Sequence, residues 1–285
     1  MRVFILTLLA MIAFAGNSLI CRLALTQTTI DAASFTFIRI LSGAVALWLV
    51  VTIRKRTSPK AGSWASALAL FVYAAAFSFA YLSLSAGTGA LLLFGAVQAT
   101  MILWGVRKGE RMRTRQWLGL ALAVGGLVAL LFPGLSAPPI EGALLMICAG
   151  IAWGIYSLRG KGAGDPATAT AGNFVRAVVF ATGLSVALLP WLKLDPGGVG
   201  YAILSGALAS GIGYVIWYSA LPGLKAASAA TVQLSVPVLA AAGGILFLSE
   251  SITLRFLLAS LAVLGGIALV VIENTQVVPP DKITY

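Results

Sequence analysis

The chain reads as ten apolar stretches between Val3 and Ile272, and near residue 137 the pattern begins again. Phe37-Ile38-Arg39 is answered by Phe174-Val175-Arg176, and Glu110 through Leu131 by Glu250 through Val271. At an offset of 137, Arg22 pairs with Arg159, Arg39 with Arg176 and Tyr81 with Tyr218. Further on, an offset of 140 pairs Glu110 with Glu250, Arg115 with Arg255 and Gly125-Gly126 with Gly265-Gly266. Five spans per half is an odd number, so the second half must cross in the opposite sense to the first. Inverted five-span repeats are a transporter architecture, in which one half rocks against the other around a midplane site. The expected fold is an all-α integral membrane protein with ten transmembrane helices in two inverted five-helix repeats, 1–135 and 136–285.

Composition agrees: 60% of residues are hydrophobic and 9% charged, and the mean hydropathy is +1.01, outside the soluble range. At about 20 apolar residues per span, helices are expected near 3–24, 33–53, 63–85, 89–106, 114–132, 141–158, 171–192, 198–220, 225–248 and 253–272. The connections are short and leave no room for a soluble domain. Glycine pairs such as Gly125-Gly126, Gly243-Gly244 and Gly265-Gly266 suit close helix approach in lipid. Ala13-Phe14-Ala15 after Arg2 resembles a signal-peptide cleavage site. The apolar run continues to Ala24, however, and is needed as the first span.

The net charge of +11 is sorted by side rather than gathered into a nucleic-acid patch. Arg54, Lys55, Arg56 and Lys60 follow span 2, Arg107, Lys108, Arg111, Arg113 and Arg115 follow span 4, Arg159 and Lys161 span 6, and Lys225 span 8. With both termini cytoplasmic, fourteen of nineteen basic residues lie on that side, as the positive-inside rule requires. No nucleic-acid partner is expected. Cys21 and Cys148 lack metal-ligand spacing and histidine is absent, so neither a metal, a disulfide nor a cofactor is indicated.

Gly109-Glu110-Arg111 after span 4, Ser249-Glu250-Ser251 after span 9, and the paired glycines of spans 5 and 10 resemble the drug/metabolite transporter superfamily, in its ten-helix form built of two EamA-type repeats. Val97-Gln98-Ala99-Thr100-Met101 is most similar to the bacterial aromatic amino-acid exporters. The resemblance implies a basket of ten helices around a substrate cavity, lined by the first four helices of each repeat, with helices 5 and 10 outside.

All eight acidic residues, Asp31, Glu110, Glu141, Asp165, Asp195, Glu250, Glu273 and Asp281, lie at or beyond span ends. No carboxylate is available at mid-depth for general acid–base chemistry, so an enzyme is not expected. The same lack departs from the small four-helix multidrug exporters of the superfamily, which carry an embedded glutamate, and makes transport without a proton gradient the expectation. Arg39 and Arg176 do lie within spans. Each either snorkels and caps backbone carbonyls or receives an anionic group in a water-filled cavity. Gln98 and Gln233 fall about 13 Å into their spans, where an amide finds either another helix or a substrate. Tyr81, Trp153, Trp217 and Tyr218, with Asn17 and Asn173 nearby, are candidate walls for an apolar side chain, although most membrane aromatics are structural. Phe77, Phe94, Tyr156 and Tyr214 share their depth. Pro237 is expected to kink the middle of span 9.

The expected function is export of amino acids, aromatic or bulky apolar ones preferred, across a bacterial inner membrane by alternating access. Gln98, Tyr81, Trp153, Trp217, Tyr218, Asn17, Asn173, Arg39 and Arg176 are the candidate substrate-binding residues. The partners implied are a small-molecule substrate and membrane lipid. Alternatives are export of another small metabolite or drug, and a non-transporting scaffold or polar-lipid flippase, marked by a closed, dry interior between the halves.

Overall fold

The computed structural model describes residues 1–55, 61–109, 112–134, 137–160, 165–220, 224 and 232–273, with side chains to 271. Arg56, Lys60, Glu110, Arg111, Lys161, Lys225 and Asp281, and the boundary at 135–136, lie outside the described residues, as does the side chain of Glu273.

Among the described residues there are helices and no strands. The helices are α1 (Arg2–Gln27), α2 (Ala32–Ile53), α3 (Trp64–Ala80), α4 (Ala86–Arg107), α5 (Thr114–Leu131), α6 (Ile140–Gly160), α7 (Pro166–Ala187), α8 (Pro196–Ala220), α9 (Ser235–Leu248) and α10 (Leu254–Glu273). Eight are long and apolar enough to cross a membrane, while α3 and α9 are shorter apolar helices. Local chemistry sets several starts. Asp31, Ser63, Ser85, Asp165 and Asp195 each cap the first N–H groups of the helix that follows, and Pro166 and Pro196 occupy first positions where no N–H is needed.

Three expectations change. The span expected at 63–85 ends at Ala80, because Tyr81–Ser85 turn tightly into the Ser85 cap of α4. The seventh helix begins at Pro166 rather than 171 and ends at Ala187. Pro237 stands in the first turn of α9, not mid-helix. Lacking an N–H, and clashing with the carbonyl four residues back, it is tolerated where the helix restarts.

The packing is symmetric under exchange of each helix with the one five later. The contacts α2–α7, α5–α10 and α4–α9 map onto themselves, α3–α6 answers α8–α1, α4–α6 answers α9–α1, and α3–α7 answers α8–α2. At α5–α10, a Cβ on Gly119 would sit 2.6 Å from the Gly266 carbonyl oxygen, and one on Gly126 2.8 Å from the Ala262 Cβ. Gly125 and Gly265 face open space, so only the second glycine of each pair brings the helices together.

Candidate functional site

α1, α3, α4, α6 and α8 meet around a central cavity of about 20 Å³, room for a water molecule but not for a metabolite. Its walls are aromatic: Phe14, Tyr73, Phe77, Phe94, Trp153 and Tyr214. Trp153 anchors them, its ring centroid 4.8 Å from Tyr73, 5.0 Å from Tyr214 and 5.4 Å from Tyr156. Polar atoms enter from Asn17, Ser18 and Ser210.

The middle of α8, Leu204–Ile212, winds as a π-helix, a form found frequently at functional sites. Its wider i→i+5 winding brings residues five apart closer to one face than an α-helix would, and Ser205 and Ser210 are both buried. Ser205 Oγ donates to Asn17 Oδ1 at 2.7 Å, and Asn17 Nδ2 reaches Tyr73 Oη at 3.5 Å. Ser210 Oγ accepts from Arg39 Nη2 at 3.4 Å. α8 comes this close because Gly206 lacks a Cβ, which would run into the Arg39 carbonyl oxygen.

Arg39 is 2% exposed. Its Nη2 donates to Tyr73 Oη at 3.1 Å, and the guanidinium lies 4.8 Å from the Phe77 ring centroid and 5.3 Å from that of Tyr73. Among the described residues Nη1 has no hydrogen-bond partner. The polar groups facing it, Tyr73, Tyr214, Cys21 and Ser210, are hydroxyls and a thiol, not carboxylates. Arg39 does not itself line the cavity, but Tyr73, Phe77 and Ser210, which hold it, do. A cation buried against rings and hydroxyls lacks the counter-charge that ordinarily offsets desolvation.

The other candidates are distributed differently. Arg176 Nη1 donates to the carbonyls of Ala61 at 2.7 Å and Gly172 at 2.9 Å, with the guanidinium over Trp64. Asn173 accepts from Ser63 N–H at 2.8 Å and donates to Tyr156 Oη at 3.4 Å. Asn173, Tyr156 and Tyr218 line a second cavity of about 200 Å³, with Ser63, Ser66 and Arg159, at the end of the bundle where the chain starts. Tyr81 is wholly buried near the opposite end, its hydroxyl donating to the Ala86 carbonyl at 3.3 Å. Trp217 packs edge-on to Phe14 behind the central wall. Gln98 is buried on the Phe94 face of α4, one turn beyond the cavity. Of the nine candidates, Asn17 and Trp153 line the central cavity and Arg39 stands behind its wall. Sequence reasoning passed over Tyr73, Ser205 and Ser210. Tyr73 and Ser210 stand 137 residues apart, the repeat offset, so the symmetry itself carried a signal.

Two carboxylates outside the helices are tied down. Burial acts to raise the Asp31 carboxyl, but the Lys193, Ser34 and Ala33 N–H groups outweigh it and hold it below its ordinary value. Burial pushes the Glu250 carboxyl up, against the opposing pull of the Ala86 N–H and Arg22. Ser249 adopts a left-handed conformation (φ 53°) that turns Glu250 toward α4, where its oxygens accept from Ala86 N–H at 3.0 and 2.9 Å.

The EamA-like transporter family model matches residues 1–132 and again 140–272, the two halves that the packing relates. The chain belongs to this family. It is a multi-pass membrane protein, and a transporter rather than an enzyme. A Pseudomonas aeruginosa protein named uncharacterized protein PA1977 is 59% identical over 94% of each chain. An uncharacterized transporter of Archaeoglobus fulgidus is 26% identical over 95% of this transporter and 98% of that one. The threonine/homoserine exporter RhtA of Escherichia coli is 35% identical over 54% of each chain. A crystal structure superposes with a TM-score of 0.69 at 14% identity, covering 96% of this transporter and 99% of the other chain, which shows the shared fold alone.

Proposed function

We propose that this transporter exports amino acids across a bacterial inner membrane by alternating access, with halves 1–135 and 136–285 moving against each other and both termini cytoplasmic. The observation that carries the reading is Arg39, a buried cation that, among the described residues, has one donor nitrogen without a partner and no carboxylate beside it. The substrate carboxylate takes Nη1 and displaces the Tyr73 hydroxyl, a charge-assisted exchange that gains strength away from water. Asn17 and Ser210 meet the amine side of the substrate. The rings of Trp153, Tyr214 and Phe77 enclose an apolar side chain, which favours aromatic and bulky apolar amino acids. The 20 Å³ cavity is then the closed form of the site, to be opened by movement of the halves.

A second reading has a specific observation behind it. RhtA is named for threonine and homoserine, and the hydroxyls of Ser18, Ser205 and Ser210 suit a small polar side chain equally in kind. Counterflow in proteoliposomes containing this protein alone tests both. Exchange of labelled phenylalanine in preference to threonine supports the first reading, the reverse order supports the second, and exchange of decarboxylated amines as good as that of amino acids removes the carboxylate from recognition.

A further inference from the structure

The two ends of the bundle are built from repeat-equivalent residues but are in different states. At the cytoplasmic end, Tyr156, Arg159, Ala169, Thr170, Asn173 and Tyr218 border the open 200 Å³ cleft. Subtracting the 137 offset gives Leu19, Arg22, Ala32, Ala33, Thr36 and Tyr81 at the outer end. There the helix-start positions are packed: Thr36 and Tyr81 are 0% exposed, Ala33 3% and Ala32 4%, and the cavity of about 210 Å³ at this end lies to one side of them, between Ser83–Thr88, Glu250 and Phe256. Arg22 fastens this closure. Its Nη1 donates to the carbonyls of Tyr81 at 2.8 Å and Leu82 at 3.1 Å, while its Nε lies 3.5 Å from Glu250 Oε1. Because Glu250 also holds the start of α4, the cluster joins the second half to the first. Arg159, by contrast, is exposed and donates from Nε to Ser66 Oγ at 3.1 Å.

An inverted repeat exchanges the conformations of its halves when access alternates. We infer that Arg22 and Arg159 are alternating latches: when the inner cleft closes, the Arg159 guanidinium donates to the carbonyls of Tyr218 and Ser219, the repeat counterparts of Tyr81 and Leu82, while Arg22 lets go at the outer end. Tyr218 already borders the cleft with Arg159, and its hydroxyl lies 3.8 Å from where a Cβ on Gly160 would stand. Tyr218 and Ser219 directly precede Ala220, the last residue of α8, and the final carbonyls of a helix have no partner within it. The inference rests on the alternating-access reading above and gives it two positioning residues that touch no substrate.

The test uses the full chain in liposomes, with Cys21 and Cys148 replaced and one reporter cysteine at either of two repeat-equivalent positions, Ala32→Cys outside or Ala169→Cys inside. An impermeant thiol reagent reads how open each end is. Arg22→Ala, or Glu250→Gln where the first does not fold, should raise labelling at position 32 about tenfold, the scale of losing charge-assisted hydrogen bonds, and lower it at 169. Adding Arg159→Ala should reverse both changes, since the outward-open state then loses its own latch. Labelling at 32 that stays high in the double variant overturns the role of Arg159. A parallel rise at both positions signals loosening of the fold and overturns the paired latch as well. Counterflow by the parent protein separates the levels: with exchange intact and labelling unresponsive, the latch fails alone, and with no exchange of any amino acid the transport reading fails first.

Discussion

Arg39 and Arg176 occupy the same position in the two repeats yet have opposite surroundings. Arg176 places Nη1 on the backbone carbonyls of Ala61 and Gly172, and the first of these bonds stitches the segment before α3 to α7. Arg39 ends on a phenol and a serine hydroxyl, between two rings, with Nη1 unused. The difference comes from what each helix meets. α7 meets an irregular segment with free carbonyls, whereas α2 meets α8, whose own carbonyls are bonded along the helix and which offers only the Ser210 side chain. Repeat symmetry fixes where a residue sits, and the neighbouring segment decides whether backbone carbonyls or side-chain hydroxyls meet it.

The comparison breaks most readily at the two arginines themselves. Arg39→Ala should abolish amino-acid exchange per folded molecule, a loss of about 10- to 100-fold or more from one charge-assisted contact. Arg176→Ala should reduce the amount of folded protein and leave the exchange of what remains unchanged. Size-exclusion recovery together with counterflow distinguishes the two, and equal losses of specific exchange would mean that the asymmetry has no functional content. Gly206→Ala comes next. Its Cβ meets the Arg39 carbonyl oxygen, so α8 must move off α2 and Ser210 off the guanidinium, and exchange should fall by a similar factor while Gly125→Ala, which faces open space, changes nothing.

Smaller effects should separate the aromatics. Trp153→Ala removes the ring that contacts Tyr73 and Tyr214, and should weaken phenylalanine relative to threonine several-fold, from the roughly 0.5–1.5 kcal/mol of an aromatic pair. Trp217→Ala, behind the wall, should leave the ratio alone and lower thermal stability. Gln98→Ala, beyond the cavity, should change the ratio less than Asn17→Ala does. Competition of unlabelled amino acids against labelled substrate measures all four.

Much of the fold was legible because lipid imposes a simple demand: every span must satisfy its own backbone and present apolar side chains. That demand wrote the ten apolar stretches, and so the odd count per repeat, directly into the sequence, while the charge asymmetry is a separate signal carried by the loops. The limits of α3 and α9 were less legible, since a cap at Ser85 and a proline at 237 act on backbone groups that hydropathy does not register. In the candidate site, Arg39, Trp153 and Asn17 stood out as embedded polar or amphipathic groups. Tyr81 and Tyr218 looked alike as sequence, yet one is wholly buried and the other borders an open cleft, a difference of tertiary packing that a single sequence does not carry. Tyr73, Ser205 and Ser210 passed unnoticed because a serine in an apolar span is ordinary until a π-helical turn aligns two of them.

The most direct test of the account is the discrimination between phenylalanine and phenethylamine by Arg39→Lys, measured as counterflow per folded molecule. Lysine keeps the charge and loses the planar fork, so recognition of the carboxylate should suffer while handling of the amine does not. The account predicts that phenylalanine exchange falls about tenfold or more relative to phenethylamine. An unchanged ratio in Arg39→Lys, with full exchange of phenylalanine, would contradict it and leave Arg39 a structural cation like Arg176.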